Sequence, residues 1–505
     1  LYLAWHLFNQ PNFYPHRFSF LFSFVLLDLA WLGYQKIPNL SARGMKARAV
    51  ILAGSFIALT ILLFHTMGNI EYLALKTIVM DVVFFTATCF LLPWLRGERR
   101  RKIAVTLICV MQIACLMLNA YYPIARLRTV WTTTADAYRS AAEQGRALVE
   151  RIREDDGGLY RMERNFHRTD LDSLSDDYAG LTFFSAYHNW DQIAFCDHIG
   201  LYNGNYHMSY RAGTTPVLES LLGVKYILRK DGVAFEPLPE GYEELWRDGD
   251  VTVYENTYAL PFACLVPEQT RELSDFNPFV NQNILLSDLT GAETLVFRPI
   301  WDIGRSFDGT WETYTFSVAA NRQLYMKSYG TDYVLNGGVE SAARMNGSIL
   351  LPAADADTDF EVKMTAPLGI HLAYFDLDAF KQAHAALAKY ATDVQSDTDS
   401  HIVIHADVKD GHTQLLITIP YDKGWHVWVD GEKAEAVSRY GALLAVNLSQ
   451  GAHTVELRFV PQGLWAGAAV SAASLVMVVL WAVLWRKKKR CQGFHPIDPD
   501  QGRCP

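Results

Sequence analysis

The sequence predicts a multi-pass α-helical membrane protein with a large extracytoplasmic α+β region that ends in β-sandwich modules. Three observations support this fold class. Five runs of the 505-residue chain are apolar over about 20 residues, the length that a helix needs to cross a bilayer. Basic residues gather in every second loop between these runs. The long polar segment between the fourth and fifth runs changes to a two-residue periodicity in its second half, as strands do.

The overall composition is an average over apolar, basic and acidic segments of the chain. Half of the residues are hydrophobic and the net charge is −9, which excludes a disordered or fibrous chain. The segments 35–48, 96–102 and 486–505 together carry a net charge of +12, so the remainder carries −21. An asymmetry of this size indicates two compartments.

The transmembrane region is predicted at residues 1–121 and again near the C-terminus. The expected spans are about 17–34, 47–65, 73–95, 103–121 and 465–485. The first run is short, and a buried core helix stays the alternative for it. By the positive-inside rule, the basic loops and the tail at 486–505 are cytoplasmic, which leaves residues 122–464 extracytoplasmic. Because residue 1 is a leucine in an external loop, we expect further helices upstream and interpret the chain as the C-terminal portion of a larger protein.

The extracytoplasmic region divides into two predicted parts. Residues 122–294 indicate an α/β region, which opens on an amphipathic helix at 134–153 with Thr134 or Asp136 as its N-cap. Residues 295–464 indicate β-sandwich modules.

The two modules resemble each other in sequence. The strand and turn pattern at Asn336-Gly337 recurs at Asp430-Gly431, both strong hairpin signals. A duplicated module is one interpretation, and unrelated sandwich strands are the other. Between the two, Asp378 is predicted to N-cap a helix at 379–390.

The external region lacks the sequence motifs of the common catalytic sites. There is no phosphate-binding loop, no zinc-protease motif and no nucleophile elbow. Asp376 and Asp378 imitate the metal-binding DxD of some sugar transferases, but a strand end plus a helix cap explains them better. His188, His198 and His207 are too loosely spaced to predict a metal site. The two external cysteines, Cys196 and Cys264, leave a single bridge as an open alternative.

Polar residues inside the predicted spans are candidate functional residues, because they are costly in a bilayer. Asp28 and Asp81 are the main candidates. Lys76 lies about one and a half turns from Asp81, so a local ion pair competes with a role in transport. At the start of the first span, His16 and Arg17 are candidates for contact with a lipid phosphate, and an ordinary interfacial anchor is the alternative.

Several stretches of the chain resemble a known family in the same order. They are NQPNFYPHRFSFLFSF (9–24), LLGVKYIL (221–228), VYENTYALPFA (253–263), ITIPYDKGWHVWVDGEK (417–433) and GAHTVELRFVPQGLWAG (451–467). Together they are similar to the bacterial membrane protein family YfhO. The resemblance implies a polytopic glycosyltransferase of the GT-C type, in which an acidic residue of the first external loop acts as general base. That loop would precede Leu1, so no catalytic residue is carried over to this chain.

The resemblance also implies the partners. A sugar would pass from a polyprenyl-phosphate donor to an envelope polymer such as lipoteichoic acid on the outer face of the membrane. Membrane lipids are further partners, while no cofactor, metal or nucleic acid is expected. Two other hypotheses stay open: a transporter or flippase of envelope precursors that uses Asp28 and Asp81, and a membrane-anchored scaffold that binds polymer without catalysis.

Overall fold

The structure is a computed structural model, and two compact units make up the chain, Leu1–Tyr138 and Arg139–Pro505. It describes residues 19–37, 40–66, 75–127, 133–185, 189–201, 203–204, 207–210, 213–233, 238–273, 276–328, 333–335, 338–339, 347–351, 356–364, 369–398 and 400–492.

The described part of the chain before the first strand is mostly helical, and shorter helices lie among the strands that follow. They are α1 (Ser19–Lys36), α2 (Ala42–Thr66), α3 (Leu75–Leu91), α4 (Glu98–Leu127), α5 (Ala135–Asp155), α6 (Asp172–Ser175), α7 (Trp190–Ile199), α8 (Pro216–Leu221), α9 (Pro278–Thr290), α10 (Leu377–Ala388) and α11 (Leu464–Gln492). A 3₁₀ turn, Leu92–Arg96, joins α3 to α4 and has Pro93 near its start.

The strands lie between α5 and α11. The first eight are β1 (Arg161–Arg164), β2 (Phe183–Phe184), β3 (Asn203–Gly204), β4 (His207–Met208), β5 (Val224–Lys230), β6 (Tyr242–Asp248), β7 (Val251–Asn256) and β8 (Ala263–Val266). The next nine are β9 (Phe297–Ile300), β10 (Gly304–Phe307), β11 (Glu312–Val318), β12 (Gln323–Ser328), β13 (Tyr333–Leu335), β14 (Gly338–Val339), β15 (Ser348–Leu350), β16 (Thr358–Met364) and β17 (Ile370–Phe375). The last eight are β18 (Asp393–Thr398), β19 (His401–Val408), β20 (Gln414–Pro420), β21 (Trp425–Val429), β22 (Glu432–Ala434), β23 (Val437–Arg439), β24 (Leu443–Asn447) and β25 (Gly451–Phe459).

Four helical segments of the described chain are long and apolar enough to cross a membrane. They are Ala42–Leu63, Ile78–Arg96, Glu98–Tyr122 and Leu464–Arg486. Four of the predicted spans coincide with them. The run predicted at 17–34 forms α1, which is not among the four because Asp28 and the polar end at Lys36 lower its hydropathy. A first span therefore stays a prediction.

Within the first unit, α3 packs against both α2 and α4, and its contact with α2 is made by small and aromatic side chains. Ala49, Ala53 and Cys89 are buried, and the rings of Phe56 and Phe85 stack with centroids 4.1 Å apart. Small residues allow helix backbones to approach closely inside a bilayer. The outward-facing side chains are mostly large and apolar, as a lipid environment requires.

After the membrane helices, α5 covers a four-stranded sheet of order β1-β5-β7-β6. Thr134 is the N-cap of α5, since its Oγ1 accepts from the backbone of Ala137 at 3.2 Å. Leu148, Val149 and Ile152 form the buried face of this helix. β1 pairs with β5 in parallel, and the other pairings in the sheet are antiparallel. The alternation of β1 therefore directs Met162 toward α5, while Arg161 and Glu163 lie on the opposite face of the strand.

Two pairs of sheets make up most of the remaining chain. In the first pair, the sheets β10-β11-β16-β13-β14 and β15-β12-β17-β9 share one buried apolar cluster. In the second pair, β18-β19-β25-β21-β22 and β23-β24-β20-β8 share another. β8 precedes residue 295, so the second pair draws a strand from the earlier part of the chain. The β-sandwich description stays a prediction.

The five-stranded sheets correspond strand by strand. β10, β11, β16, β13 and β14 occupy the same order as β18, β19, β25, β21 and β22. Asn336 directly follows β13 and Asp430 directly follows β21, which are equivalent strands. The duplication itself stays a prediction. At Asp430-Gly431 both φ angles are positive, 55° and 85°, as expected of a tight hairpin turn, whereas Asn336-Gly337 lies outside the described residues.

The predicted N-cap of α10 at Asp378 is wrong. Asp376, and not Asp378, is the N-cap of α10, because its Oδ1 accepts from the backbone of Ala379 at 3.1 Å. The helix starts two residues earlier than predicted, at Leu377. Asp378 lies in its first turn, where an acidic side chain favours the helix dipole.

Candidate functional site

Asp81 lies in a polar contact between two membrane helices. Asn119 of α4 donates from Nδ2 to Oδ1 of Asp81 in α3 at 2.7 Å, and Sγ of Cys115 is 3.4 Å from the same oxygen. The sequence marked Asp81 as a candidate but offered Lys76 as its partner. The side chain of Lys76 is outside the described part of the chain. The interhelical partner is therefore Asn119, 38 residues away, which the local spacing did not predict.

Of the other predicted membrane residues, only Asp28 belongs to the described part of the chain. Asp28 lies on α1 with an exposed side chain. His16 and Arg17 fall outside the described residues. Their assignment to a lipid phosphate therefore stays a prediction.

No metal centre forms from the described His, Cys, Asp and Glu side chains. His198 is the exposed residue near the end of α7, His207 begins β4, and His188 is outside the described chain. Cys196 and Cys264 are both free thiols, so they do not form the bridge that the sequence left open. Burial raises the pKa of each thiol to about 12, which makes both poor nucleophiles.

A cavity with about 730 Å³ of empty space, its open mouth included, lies within the second unit. Its walls are mostly apolar and come from α7, β4 and the ends of β20 and β24. They include Phe183, Ile193, Phe195, Leu201, Met208 and Leu443. Asn189 and Gln192 add polar side chains, and Arg161 is the one charged residue among the described residues that line the cavity.

Arg161 is almost fully buried, with 8% of its surface exposed. Nη2 donates to the backbone oxygen of Thr418 at 2.6 Å and Nη1 donates to that of Leu222 at 2.5 Å. The guanidinium also lies over the ring of Phe262, 4.2 Å from its centroid. Burial lowers the pKa of Arg161 to about 10, so the side chain keeps its charge at neutral pH.

Two buried glutamates accompany Arg161. Glu163 accepts hydrogen bonds from the backbone of Leu181 and from the backbone and side chain of Thr182, the latter two at 2.8 and 3.1 Å. Glu219 accepts from the hydroxyls of Tyr210, at 2.5 Å, and Tyr242. Burial raises the pKa of each glutamate to about 7.

These charged residues were missed by sequence reasoning. Glu219 lies in the mostly apolar helix PVLESL, whereas Arg161 and Glu163 lie in the mostly charged strand RMER. A charged residue within an apolar element, such as Glu219, is the local signal that could have indicated a buried polar site. Their partners, however, lie up to 257 residues away, as for Arg161 and Thr418, and no local pattern identifies them.

The fold and these sites define a class of protein: a membrane protein in which a β-rich folded region lies between helices long enough to span a bilayer. A family model described as bacterial membrane protein YfhO matches residues 1–343 and 358–471. The chain therefore belongs to the YfhO family.

One curated relative and one solved structure show how far similarity extends. The uncharacterized protein YfhO of Bacillus subtilis (strain 168) is 21% identical over 546 residues, which cover 95% of this chain and 61% of that protein. The chain thus spans about three fifths of the length of this relative. A conserved protein of unknown function from Pseudomonas aeruginosa PAO1 matches 32% of this chain and 82% of its own, with 12% identity and a TM-score of 0.12.

Proposed function

We propose that this chain is part of a GT-C-type glycosyltransferase that moves a sugar from a polyprenyl-phosphate donor to an envelope polymer such as lipoteichoic acid. The observation that carries the proposal is the placement of a large folded region between α4 and α11. No helix of the described residues between them is apolar and long enough to cross a membrane. In the proposed topology both ends of the folded region would be held at one membrane face, where a lipid-linked donor and a surface polymer would meet.

The proposal includes a sidedness. Residues 122–464 would face outward and the tail at 486–505 would face the cytoplasm, because the basic segments flank the opposite ends of the spanning helices. Alkaline phosphatase fused after Pro461 should be active and a fluorescent protein fused after Pro505 should fluoresce. The inverse pattern would overturn the sidedness.

Deletion of the full reading frame in its own bacterium tests the reaction. We expect the sugar substituents of lipoteichoic acid, measured by NMR, to disappear and to return on complementation. Purified protein in vesicles should transfer a radiolabelled sugar from polyprenyl phosphate and not from a nucleotide sugar. Unchanged substitution in the deletion strain, or transfer from the nucleotide sugar alone, would contradict the proposal.

A transporter or flippase of envelope precursors is the second candidate function, and Asp28 favours it. An exposed carboxylate in the middle of an apolar helix is costly in lipid unless it faces a partner or a polar path. Asp28→Asn should then reduce precursor movement in vesicles, whereas Ser23→Ala on the same helix serves as a control. Equal flux in both variants would exclude a transport role for Asp28.

A further inference from the structure

We propose that the cavity next to Arg161 binds a single-chain anionic amphiphile, with the apolar chain against the cavity walls and the anionic head at the Arg161 guanidinium. This inference concerns a site in the folded region and does not depend on glycosyl transfer.

The buried charge of Arg161 has no ion-pair partner among the described side chains. A guanidinium has five N–H donors. In the described residues, hydrogen bonds from Arg161 reach two backbone carbonyls, and no carboxylate lies within 4 Å as an ion-pair partner. A buried charge without a counter-ion is unfavourable. A bound anion would supply the missing counter-charge, and a guanidinium suits a carboxylate or phosphate because it offers two parallel donors.

Glu163 replaces that counter-ion only in part. It lies two residues along β1, on the same face as Arg161. Its oxygens already accept three hydrogen bonds from Leu181 and Thr182. Burial lowers the pKa of Arg161, and the charge of Glu163 acts in the opposite direction and raises it. Glu163 therefore offsets part of the buried charge but makes no direct contact with the guanidinium.

The apolar walls of the cavity favour a hydrocarbon chain as the second part of the ligand. Phe183, Ile193, Phe195, Leu201 and Met208 present apolar surface to the cavity. A free inorganic anion would leave this surface unfilled. A hydrocarbon chain would cover it, and each buried CH₂ adds to the binding energy. Asn189 and Gln192 line the same cavity and can donate further hydrogen bonds to a head group.

Photo-crosslinking tests the site without separating the folded region from its helices. The full chain in phosphatidylcholine nanodiscs is irradiated with dodecyl phosphate that carries a diazirine on its chain. Mass spectrometry should find the label on peptides that contain Ile193, Phe195 or Met208. Unlabelled dodecyl phosphate and dodecanoate should compete, and dodecanol or inorganic phosphate should compete at least about tenfold less well, as expected when a charged hydrogen bond or the chain is lost.

Three variants separate binding from folding. Arg161→Gln should weaken labelling at least about tenfold. Ile193→Trp, which fills the cavity and keeps Arg161, should abolish labelling while the circular dichroism spectrum and the Tm stay near those of the parent. Arg322→Gln, an exposed arginine, is the matched control and should change nothing. Labelling that avoids these peptides, that persists in folded Ile193→Trp, or that dodecanol blocks as well as dodecyl phosphate would overturn the proposal.

Discussion

Asn119 holds Asp81 across the interface between α4 and α3, with 2.7 Å between Nδ2 and Oδ1. The same amide also lies 3.1 Å from the backbone oxygen of Cys115, one turn earlier in α4. Because a bilayer core offers no water as a replacement partner, such a contact adds a polar link to two helices that also interact through packing.

Loss of this contact should destabilise the helix pair. Asn119→Ala is expected to lower the free energy of unfolding by about 1 kcal/mol, since interhelical hydrogen bonds in membranes average about 0.6 and reach about 1.7 kcal/mol. Steric trapping in bicelles measures the change. The exchanged pair, Asp81→Asn with Asn119→Asp, should restore most of the loss.

Thr88 provides the control for that experiment. Gln112 Nε2 lies 3.4 Å from Thr88 Oγ1 across the same helix pair, a much longer contact. Thr88→Val should therefore have the smaller effect. A loss equal to that of Asn119→Ala would show that the Asp81 contact has no special role.

Glu219 should make the stability of the folded region depend on pH. Burial raises the pKa of Glu219 from 4.5 to about 7, so the folded state binds a proton that the unfolded state has released between these values. The contribution of Glu219 is fully present below about pH 4.5 and is lost as the pH rises through 7. The loss is on the order of 3 kcal/mol, from about 1.36 kcal/mol per pKa unit.

Glu219→Gln should remove this dependence. Urea unfolding followed by tryptophan fluorescence at several pH values between 4.5 and 8 measures the slope. Glu163→Gln should flatten the slope in the same direction, because burial raises the pKa of Glu163 to about 7 as well. Glu243→Gln, exposed on β6, should leave the slope unchanged. An unaltered slope in Glu219→Gln would contradict a raised pKa.

A buried arginine should contribute far more to stability than an exposed one. Nη2 of Arg164 lies 2.8 Å from Asp172 and 2.8 Å from Asp176, and all three side chains are at most 4% exposed. Arg164→Met leaves two buried carboxylates with Arg168 as their remaining cation. We expect a loss of about 3 kcal/mol or more in the free energy of unfolding.

Arg153 is the matched control for Arg164. It pairs with Asp177 at 2.7 Å, but the two side chains are 46% and 78% exposed. Arg153→Met should cost at most about 1 kcal/mol in the same urea experiment. Similar losses in the two variants would mean that burial does not set the strength of the Arg164 contacts.

The hairpin at Asp430 should depend on its carboxylate. The backbone N–H of Thr454 donates to Asp430 Oδ1 at 2.8 Å, and His453 Nδ1 lies 2.7 Å from Oδ2. The Thr454 bond first, and His453 second, hold the pKa of Asp430 below its usual value. The stabilisation is therefore present above about pH 3.8 and lost as the pH falls through the lower, folded-state pKa.

Asp430→Asn should loosen the hairpin without changing its turn, because asparagine also tolerates a φ of 55°. Hydrogen exchange of the β21 and β22 peptides should become faster. Asp410→Asn is the matched control, since Asp410 has the same φ and also precedes a glycine. Equal exchange in parent and Asp430→Asn would show that the carboxylate is not needed.

The elements with a strong local pattern were predictable. The apolar runs at 47–65, 73–95, 103–121 and 465–485 became long helices, with ends shifted where Pro93 interrupts α3 and where α4 continues to Leu127. The cap of α10 was misplaced by two residues, because Asp376 and Asp378 are both good caps and only the chain direction after β17 selects between them.

The sequence by itself determined the division of this protein into apolar helices and a polar, strand-rich region, since hydropathy and periodicity are properties of neighbouring residues. It also marked Asp81 as unusual. Only the tertiary structure paired Asp81 with Asn119 and brought Arg161 to the carbonyl oxygen of Thr418. Buried polar groups need partners, and the fold supplies those partners from distant parts of the chain, where no local pattern records them.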